Sequence, residues 1–178
     1  MGELEARHLG ALGYRVAIDE PYQHYQFAGR ADVVAWDATR RALLHIENRT
    51  QFPNVQEAAG AFNAKPAYLP AVLANRFEIG GAWRSVVHVL VGLWSSEVLH
   101  VTRLRRSTIA AICPDPIHLF AGWWRGEPPD RGSASIFVGL DPDYRIDRSR
   151  RYIDLDAAQR VDPRYRDYAD VARRLRAR

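Results

Sequence analysis

Two apolar runs that each carry an acid constrain the fold of this chain most. In the stretch GRADVVAWDATRRALLHIENRT, residues 29–50, Asp32 stands near the start of the first run and Glu47 ends the second. A carboxylate that faces a protein core is costly unless it is paired, hydrogen-bonded or bound to a metal. Whatever fold the chain adopts must therefore supply a partner for both acids.

The residue pattern of this stretch predicts a β-hairpin, with strands at Ala31–Trp36 and Ala42–Glu47 joined by a short connection. The far ends of two such strands meet, which places Asp32 and Glu47 at the same edge of a sheet. Two like charges so placed repel, so either one protonates or a cation lies between them. A Mg²⁺ ion prefers such oxygen ligands, and Arg49 projects to the same face of the strand as Glu47. Both a metal site and a surface Asp–Glu–Arg ion network fit this pattern.

The remaining patterns predict an α/β protein, a sheet covered by helices on its faces. A first amphipathic helix is expected at Glu3–Gly13, with Glu5 on its apolar face and Glu3 opposite. Further strands are predicted at Tyr14–Ile18, Tyr22–Phe27, Ser85–Trp94 and Ser135–Leu140, and further helices at 54–64, 67–76, 102–112 and 163–178. Pro66 is expected to interrupt the second helical segment, and residues 114–131 are rich in turn formers.

Composition limits the class of protein. A length of 178 residues fits one domain, and no apolar run approaches the length of a membrane span. The N-terminal residues lack the apolar centre of a signal peptide, so we expect a cytoplasmic protein without membrane association. The single cysteine, Cys113, excludes an internal disulfide framework and a cysteine-based zinc site.

Positive charge in this chain is carried almost entirely by arginine. The formal net charge is +4, which leans towards a polyanionic partner, and Lys65 is the only lysine among 25 Lys and Arg residues. Because arginine stands wherever a generic cation is needed, Lys65 is conspicuous. It is either a chance surface residue or a residue with a specific task.

The spacing from Asp32 over 14 residues to Glu47-Asn48-Arg49 resembles the signature of the PD-(D/E)XK nuclease superfamily. More narrowly, the segments HYQFAGRADVVAW, LLHIENRT and VQEAAGAFNAK look like a nuclease-like domain of actinobacterial XRE-type (helix-turn-helix) regulator proteins. The likeness covers about residues 3–112. It implies a restriction-endonuclease-like mixed central sheet flanked by helices, with residues 113–178 as a C-terminal extension packed on that core in one overall domain.

The resemblance also implies a metal-dependent site that uses Mg²⁺ or Mn²⁺. The metal ligands it implies are Asp32, Glu47, the Asn48 carbonyl and, as an additional acid, Glu5, with Glu3 as the fallback. The catalytic residues it implies are Asp32, Glu47, Arg49, Lys65 and Gln56, the last two on the helix that follows the hairpin.

This sequence departs from the family at the lysine of Glu-X-Lys, which is Arg49 here. Arginine binds phosphate well, but its pKa above about 12 makes it a poor proton donor or acceptor. Lys65 is the candidate for the missing amine if the helix carries it to the carboxylates. Two functions therefore remain open: a Mg²⁺- or Mn²⁺-dependent DNA endonuclease, and a degenerate nuclease fold that binds DNA or a partner within a transcriptional regulator.

Further residues are candidates for partner contacts, with DNA as the expected partner. Arg103, Arg105 and Arg106 cluster on a predicted helix and are candidate phosphate contacts, together with Arg148, Arg150, Arg151, Arg173, Arg174 and Arg176. The pair Trp123-Trp124 either stacks on bases or packs the extension onto the core. His45 shares a strand face with Glu47, as a structural or a positioning group. A homodimer and association with a helix-turn-helix domain both remain open.

Overall fold

A computed structural model describes residues 1–143 and 151–177 of the chain. The helices and strands, in chain order, are α1 (Gly2–Ala11), β1 (Arg15–His24), β2 (Phe27–Asp37), β3 (Ala42–Arg49), α2 (Val55–Arg76), β4 (Ser85–Leu93), α3 (Ser96–Leu104), α4 (Arg106–Ile112), α5 (His118–Arg125), β5 (Gly132–Leu140), β6 (Tyr152–Ile153), α6 (Leu155–Ala158) and α7 (Tyr168–Arg176). Of the candidate phosphate contacts, Arg148 and Arg150 lie outside the described residues.

The strands form one mixed six-stranded sheet in the order β1-β2-β3-β4-β5-β6. Strands β1, β2 and β3 pair antiparallel, β3, β4 and β5 pair parallel, and β6 returns antiparallel to β5. The prediction of an α/β sheet flanked by helices is confirmed at this level. Among the described residues, no helix is long and apolar enough to cross a membrane.

Apolar side chains from alternate positions of the central strands fill a core on each face of the sheet. On one face Val33, Ile46 and Val89 pack with Leu9 of α1 and Trp123 of α5. The opposite face packs against α2, whose Phe62, Leu69 and Leu73 are fully buried, and against α3 and α4. Trp123 and Trp124 are both buried, so the tryptophan pair packs into the core. Strand β5 extends the same sheet beyond residue 112.

The prediction that Pro66 interrupts the helix after the hairpin is wrong. Helix α2 runs unbroken through Pro66 and Pro70, as one segment of 22 residues. A proline removes one backbone hydrogen bond from a helix interior. Burial of apolar side chains on both sides of Pro66, Phe62 before it and Leu69 after it, offsets that loss.

Four further boundaries differ from the sequence pattern. The strands predicted at Tyr14–Ile18 and Tyr22–Phe27 are replaced by one strand, β1, and the hairpin turn lies at Tyr25 and Gln26. The helix predicted at 102–112 is two helices, because the backbone leaves the helical conformation at Arg105 and α3 begins earlier, where Ser95 caps it. The turn-rich region contains α5, which ends at Gly126 with a φ of 88° that favours glycine. The C-terminal helix is confined to α7, which Asp167 caps.

The start of α2 depends on a cap that can be tested. The side chain of Asn54 accepts hydrogen bonds from the backbone N–H groups of Gln56 and Glu57. We expect Asn54→Ala to lower the free energy of unfolding by about 1 kcal/mol, measured by urea denaturation. The matched control is Asn63→Ala, since Asn63 is exposed within the same helix and alanine is the better helix former there. An equal loss in both variants would contradict a capping role.

Candidate functional site

The carboxylate of Glu47 lies at the end of β3, buried and surrounded by hydrogen-bond donors. Its Oε1 atom accepts from the Lys65 ammonium group, with which it forms an ion pair, and lies 2.8 Å from Nε2 of His45. Its Oε2 atom lies 3.3 Å from Nη2 of Arg49. Lys65 reaches Glu47 because the unbroken helix α2 packs across this face of the sheet. The question that the sequence left open, whether Lys65 contacts the carboxylates, is thereby answered for Glu47.

The guanidinium group of Arg49 joins the two acids. Nη1 donates to the backbone oxygen of Asn48 at 2.9 Å and lies 3.8 Å from Oδ2 of Asp32. Together with the contact of Nη2 to Glu47, this places the group where three oxygen atoms converge. These are the atoms that the family resemblance implies as metal ligands.

Asp32 sits at the mouth of this cluster. Its Oδ2 atom accepts from the backbone N–H of Asn48 at 2.7 Å, which joins β2 to β3 just beyond their last ladder pair. Burial first, and then the charge of Glu47, raise the pKa of Asp32. Asp32 and Asn48 line a cavity of about 610 Å³. Glu3 and Asp19 line the same cavity and no Lys or Arg does, so its wall is acidic.

Glu47 is ionised in spite of its burial. Desolvation by burial would raise its pKa, but the hydrogen bond from His45 and the charge and hydrogen bond of Lys65 outweigh it and lower the pKa to about 2. The carboxylates of Asp32 and Glu47 thus lie beside two cations, Arg49 and Lys65. The cluster balances its own charge.

A pair of buried histidines lies behind Glu47. Nδ1 of His45 is 3.0 Å from Nδ1 of His88, its partner in the parallel register of β3 and β4. Burial lowers the pKa of both rings, so both are neutral. A neutral His45 that donates its Nε2–H to Glu47 accepts at Nδ1, so His88 carries its proton on Nδ1. His88 was not among the candidates from the sequence. The feature that could have indicated it is a histidine within the apolar strand β4, at the position that pairs with His45.

Glu5 lies on the other face of the sheet from Glu47. Side chains alternate along β3, so Glu47 and Arg49 point to the face of α2 and Asn48 points to the face of α1. There Nδ2 of Asn48 donates to Oε2 of Glu5 at 2.7 Å. Burial raises the pKa of Glu5 to about 7, and its Oε1 and the Oδ1 of Asn48 have no hydrogen-bond partner among the described residues. Glu5 therefore forms a separate polar contact.

The residues of the cluster do not fit a divalent metal ion. Both oxygens of Glu47 and the carbonyl oxygen of Asn48 accept from Lys65 or Arg49, at the positions a metal would require. Glu5 is held by Asn48 on the opposite face. Within residues 1–143 and 151–177, no group of three or more His, Cys, Asp or Glu side chains is placed to hold a metal ion.

The other sequence candidates lie apart from this cluster. Gln56 is exposed in the first turn of α2 and lines a different cavity, of about 330 Å³, together with Arg105. Arg103 donates to the backbone oxygens of Ala158 and Val161, and Arg106 pairs with Asp156. Two of the three arginines in the cluster of Arg103, Arg105 and Arg106 therefore hold the C-terminal segment.

Comparison with known proteins does not place the chain in a family. No protein-family model matches it, and no curated protein does.

The raised pKa of Glu5 predicts a pH-dependent stability difference. Folding holds the proton of Glu5 up to about pH 7, whereas the unfolded chain releases it near pH 4.5. The stabilisation that the protonated Glu5 carboxyl gives the folded protein is therefore complete below pH 4.5 and is lost as the pH rises through 7. We expect Glu5→Gln to gain about 2–3 kcal/mol in free energy of unfolding relative to wild type between pH 5 and pH 8, measured by urea denaturation.

The matched control for this experiment is Glu3→Gln on the same helix. The side chain of Glu3 is exposed, so this variant is expected to follow wild type at both pH values. A Glu5→Gln variant that does the same would show that the Glu5 carboxyl does not hold a proton in the folded protein.

The ion pair of Lys65 and Glu47 predicts a large loss of stability when its cation is removed. Lys65→Met leaves a buried carboxylate with one cation fewer, and we expect a loss of about 3–5 kcal/mol in the free energy of unfolding. The control is Arg76→Met, which breaks the more exposed ion pair with Glu20, for a loss under about 1 kcal/mol. Equal losses in the two variants would contradict the central place of Lys65.

Proposed function

We propose that this chain is a nucleic-acid-binding domain with a PD-(D/E)XK-like fold, in which Arg49 takes the position of the metal and phosphodiester hydrolysis is absent. One observation carries the proposal: the Arg49 guanidinium contacts Glu47 and the Asn48 carbonyl and lies beside Asp32. A guanidinium that fills this position neutralises the carboxylates permanently. The site then keeps the shape of a nuclease centre without its cation.

Arg49 and Glu47 are poor candidates for activating water. Arginine keeps its proton at any pH at which the protein is folded, so Arg49 cannot act as a base. Glu47 is held ionised with a pKa of about 2, and its oxygens already accept from His45, Lys65 and Arg49. A carboxylate with so low a pKa is a weak base.

The electrostatics of the cavity at Asp32 also disfavour a scissile phosphate. Glu3, Asp19 and Asp32 line it without a basic side chain. A phosphodiester that approached Asp32 from this side would meet like charge at short range. Nucleic acid is therefore expected to approach from another face.

A nucleic-acid partner is supported by the positive net charge and by the resemblance to nuclease-like domains of regulators. The cluster of Arg103, Arg105 and Arg106 contributes less than its sequence suggested, because Arg103 and Arg106 bind the C-terminal segment. A surface other than the cluster of Arg103, Arg105 and Arg106 is therefore expected to bind the partner.

Titration of Mn²⁺ by calorimetry tests the metal-free site. We expect no binding to wild type and a gain of binding in Arg49→Ala, because removal of the guanidinium frees oxygen atoms of Glu47 and Asn48 beside Asp32. The gain should disappear in the double variant Arg49→Ala/Asp32→Ala, and Arg76→Ala should resemble wild type.

Two outcomes would overturn the proposal. The first is binding of Mn²⁺ to wild type that is lost in Asp32→Ala, accompanied by cleavage of plasmid DNA, which would identify a metal-dependent endonuclease. The second is an Arg49→Ala variant that folds and does not bind Mn²⁺, because Arg49 would then not be the group that excludes the metal.

A further inference from the structure

The hairpin of β1 and β2 ends in a group of aromatic side chains. His24 and Phe27 are the last ladder pair, and Tyr25 and Gln26 form the two-residue turn between them. Tyr25 is 86% exposed and Phe27 48% exposed, and Tyr25 is the most exposed large hydrophobic side chain of the described residues. We call His24, Tyr25, Phe27 and the neighbouring Tyr68 of α2 the aromatic tip.

Three rings of the aromatic tip, those of His24, Phe27 and Tyr68, are held in parallel. Those of His24 and Tyr68 lie 5.3 Å apart at an interplanar angle of 6°, and those of Phe27 and Tyr68 lie 5.6 Å apart at 11°. Tyr25 stands edge-on to His24 at 4.7 Å. Tyr68 is buried against the sheet, and its contacts hold the rings of His24 and Phe27 in place. The exposed rings are therefore oriented before any ligand arrives, which lowers the cost of binding a flat group.

The backbone of the turn is strained at its most exposed residue. Tyr25 has a φ of 52°, the left-handed conformation that glycine or asparagine adopts at low cost and tyrosine does not. Strain of this kind is typical of functional sites, where it places a side chain for contact.

The surroundings of the aromatic tip suit an anionic, hydrogen-bonding partner. From residue 21 to residue 31 the hairpin carries no acid, and Arg30 is exposed. Along α2, Lys65 is the only charged residue from 58 to 75. Gln26 is exposed in the turn between His24 and Phe27, and its amide can donate to and accept from base edges. The acidic cavity at Asp32, in contrast, is lined by Glu3 and Asp19.

We propose that the aromatic tip is a stacking platform for unpaired bases of a single-stranded nucleic acid. The inference rests on the proposed function and specifies its ligand. Exposed aromatic rings bind any base, because every base has a π-face, whereas paired bases are stacked on one another and inaccessible. A duplex does not offer the exposed face of an unpaired base that the aromatic tip would bind.

Fluorescence anisotropy at low ionic strength tests the proposal on the full chain. The probes are a labelled oligothymidylate about 12 nucleotides long and a labelled duplex of equal length. We expect tighter binding of the single strand, and a loss of about 5-fold to 100-fold in its affinity in Tyr25→Ala and in Phe27→Ala. Tyr25→Phe, which keeps the ring, should bind as wild type does. Leu12→Ala, at the end of α1, is the control for loss of an exposed apolar side chain.

A second variant separates binding from folding. Tyr25→Asn relieves the left-handed backbone, so its Tm is expected to rise by about 2–4 °C while its affinity for the single strand falls as in Tyr25→Ala. A loss of binding together with a gain of stability cannot come from a damaged fold.

The outcomes distinguish this inference from the proposed function. Equal affinity for duplex and single strand, unchanged in Tyr25→Ala, would overturn the stacking platform and leave a nucleic-acid-binding domain. A loss in Tyr25→Phe as large as in Tyr25→Ala would also overturn it, because the hydroxyl would then be the contact. Binding of neither probe would overturn both the platform and the nucleic-acid partner and would favour a protein at the aromatic tip. The Mn²⁺ titration would still decide the nature of the carboxylate cluster.

Discussion

The contact of the Lys65 ammonium group with Glu47 is the interaction on which the rest of this site depends. The same Nζ atom lies 3.4 Å from the backbone oxygen of Arg30 on β2 and 5.4 Å from the ring centroid of Tyr22 on β1. One cation on α2 thus contacts three adjacent strands. A compact ammonium with three donors on a flexible stem can serve such divergent acceptors. This explains why the only lysine of an arginine-rich chain stands at this position.

Alternation along β3 divides the polar groups of the hairpin into two independent sets. Glu47 and Arg49 meet Lys65 beneath α2, where charges balance and the carboxylate stays ionised. Asn48, between them in sequence, turns to α1 and holds Glu5, whose pKa rises to about 7 because the carboxyl is buried and no cationic side chain contacts it. The pKa values of two similar buried acids are therefore shifted in opposite directions, and the difference follows from which face of one strand each of them meets.

Much of this arrangement follows from local pattern, and the rest depends on tertiary packing. The proximity of Asp32 and Glu47 was predictable, since antiparallel pairing of two short strands fixes which residues meet. The contact of Lys65 was not, because it depends on α2 continuing past Pro66, which burial on either side of the proline decides. His88 was missed since its partner lies on a strand 43 residues away, and only the parallel register brings the two rings together. Gln56 fell on the predicted helix but far from the cluster, because the first turn of α2 is exposed.

Part of the positive charge of the chain is used within the fold, and this bears on how it can bind a polyanion. Arg49 neutralises the carboxylate cluster, and Arg103, Arg106, Arg164 and Arg174 contact carbonyl or carboxylate oxygens of the C-terminal segment or of Asp141. A guanidinium that already has an acid as partner releases few counterions from a phosphate backbone. Under the proposed function, part of the affinity for nucleic acid comes from contacts that depend less on charge, and the exposed rings of the aromatic tip are such contacts. The proposed exclusion of a metal by Arg49 and the proposed stacking on Tyr25 and Phe27 then belong to one arrangement, in which the chain would bind a nucleic acid by its bases and leave its phosphodiester bonds intact.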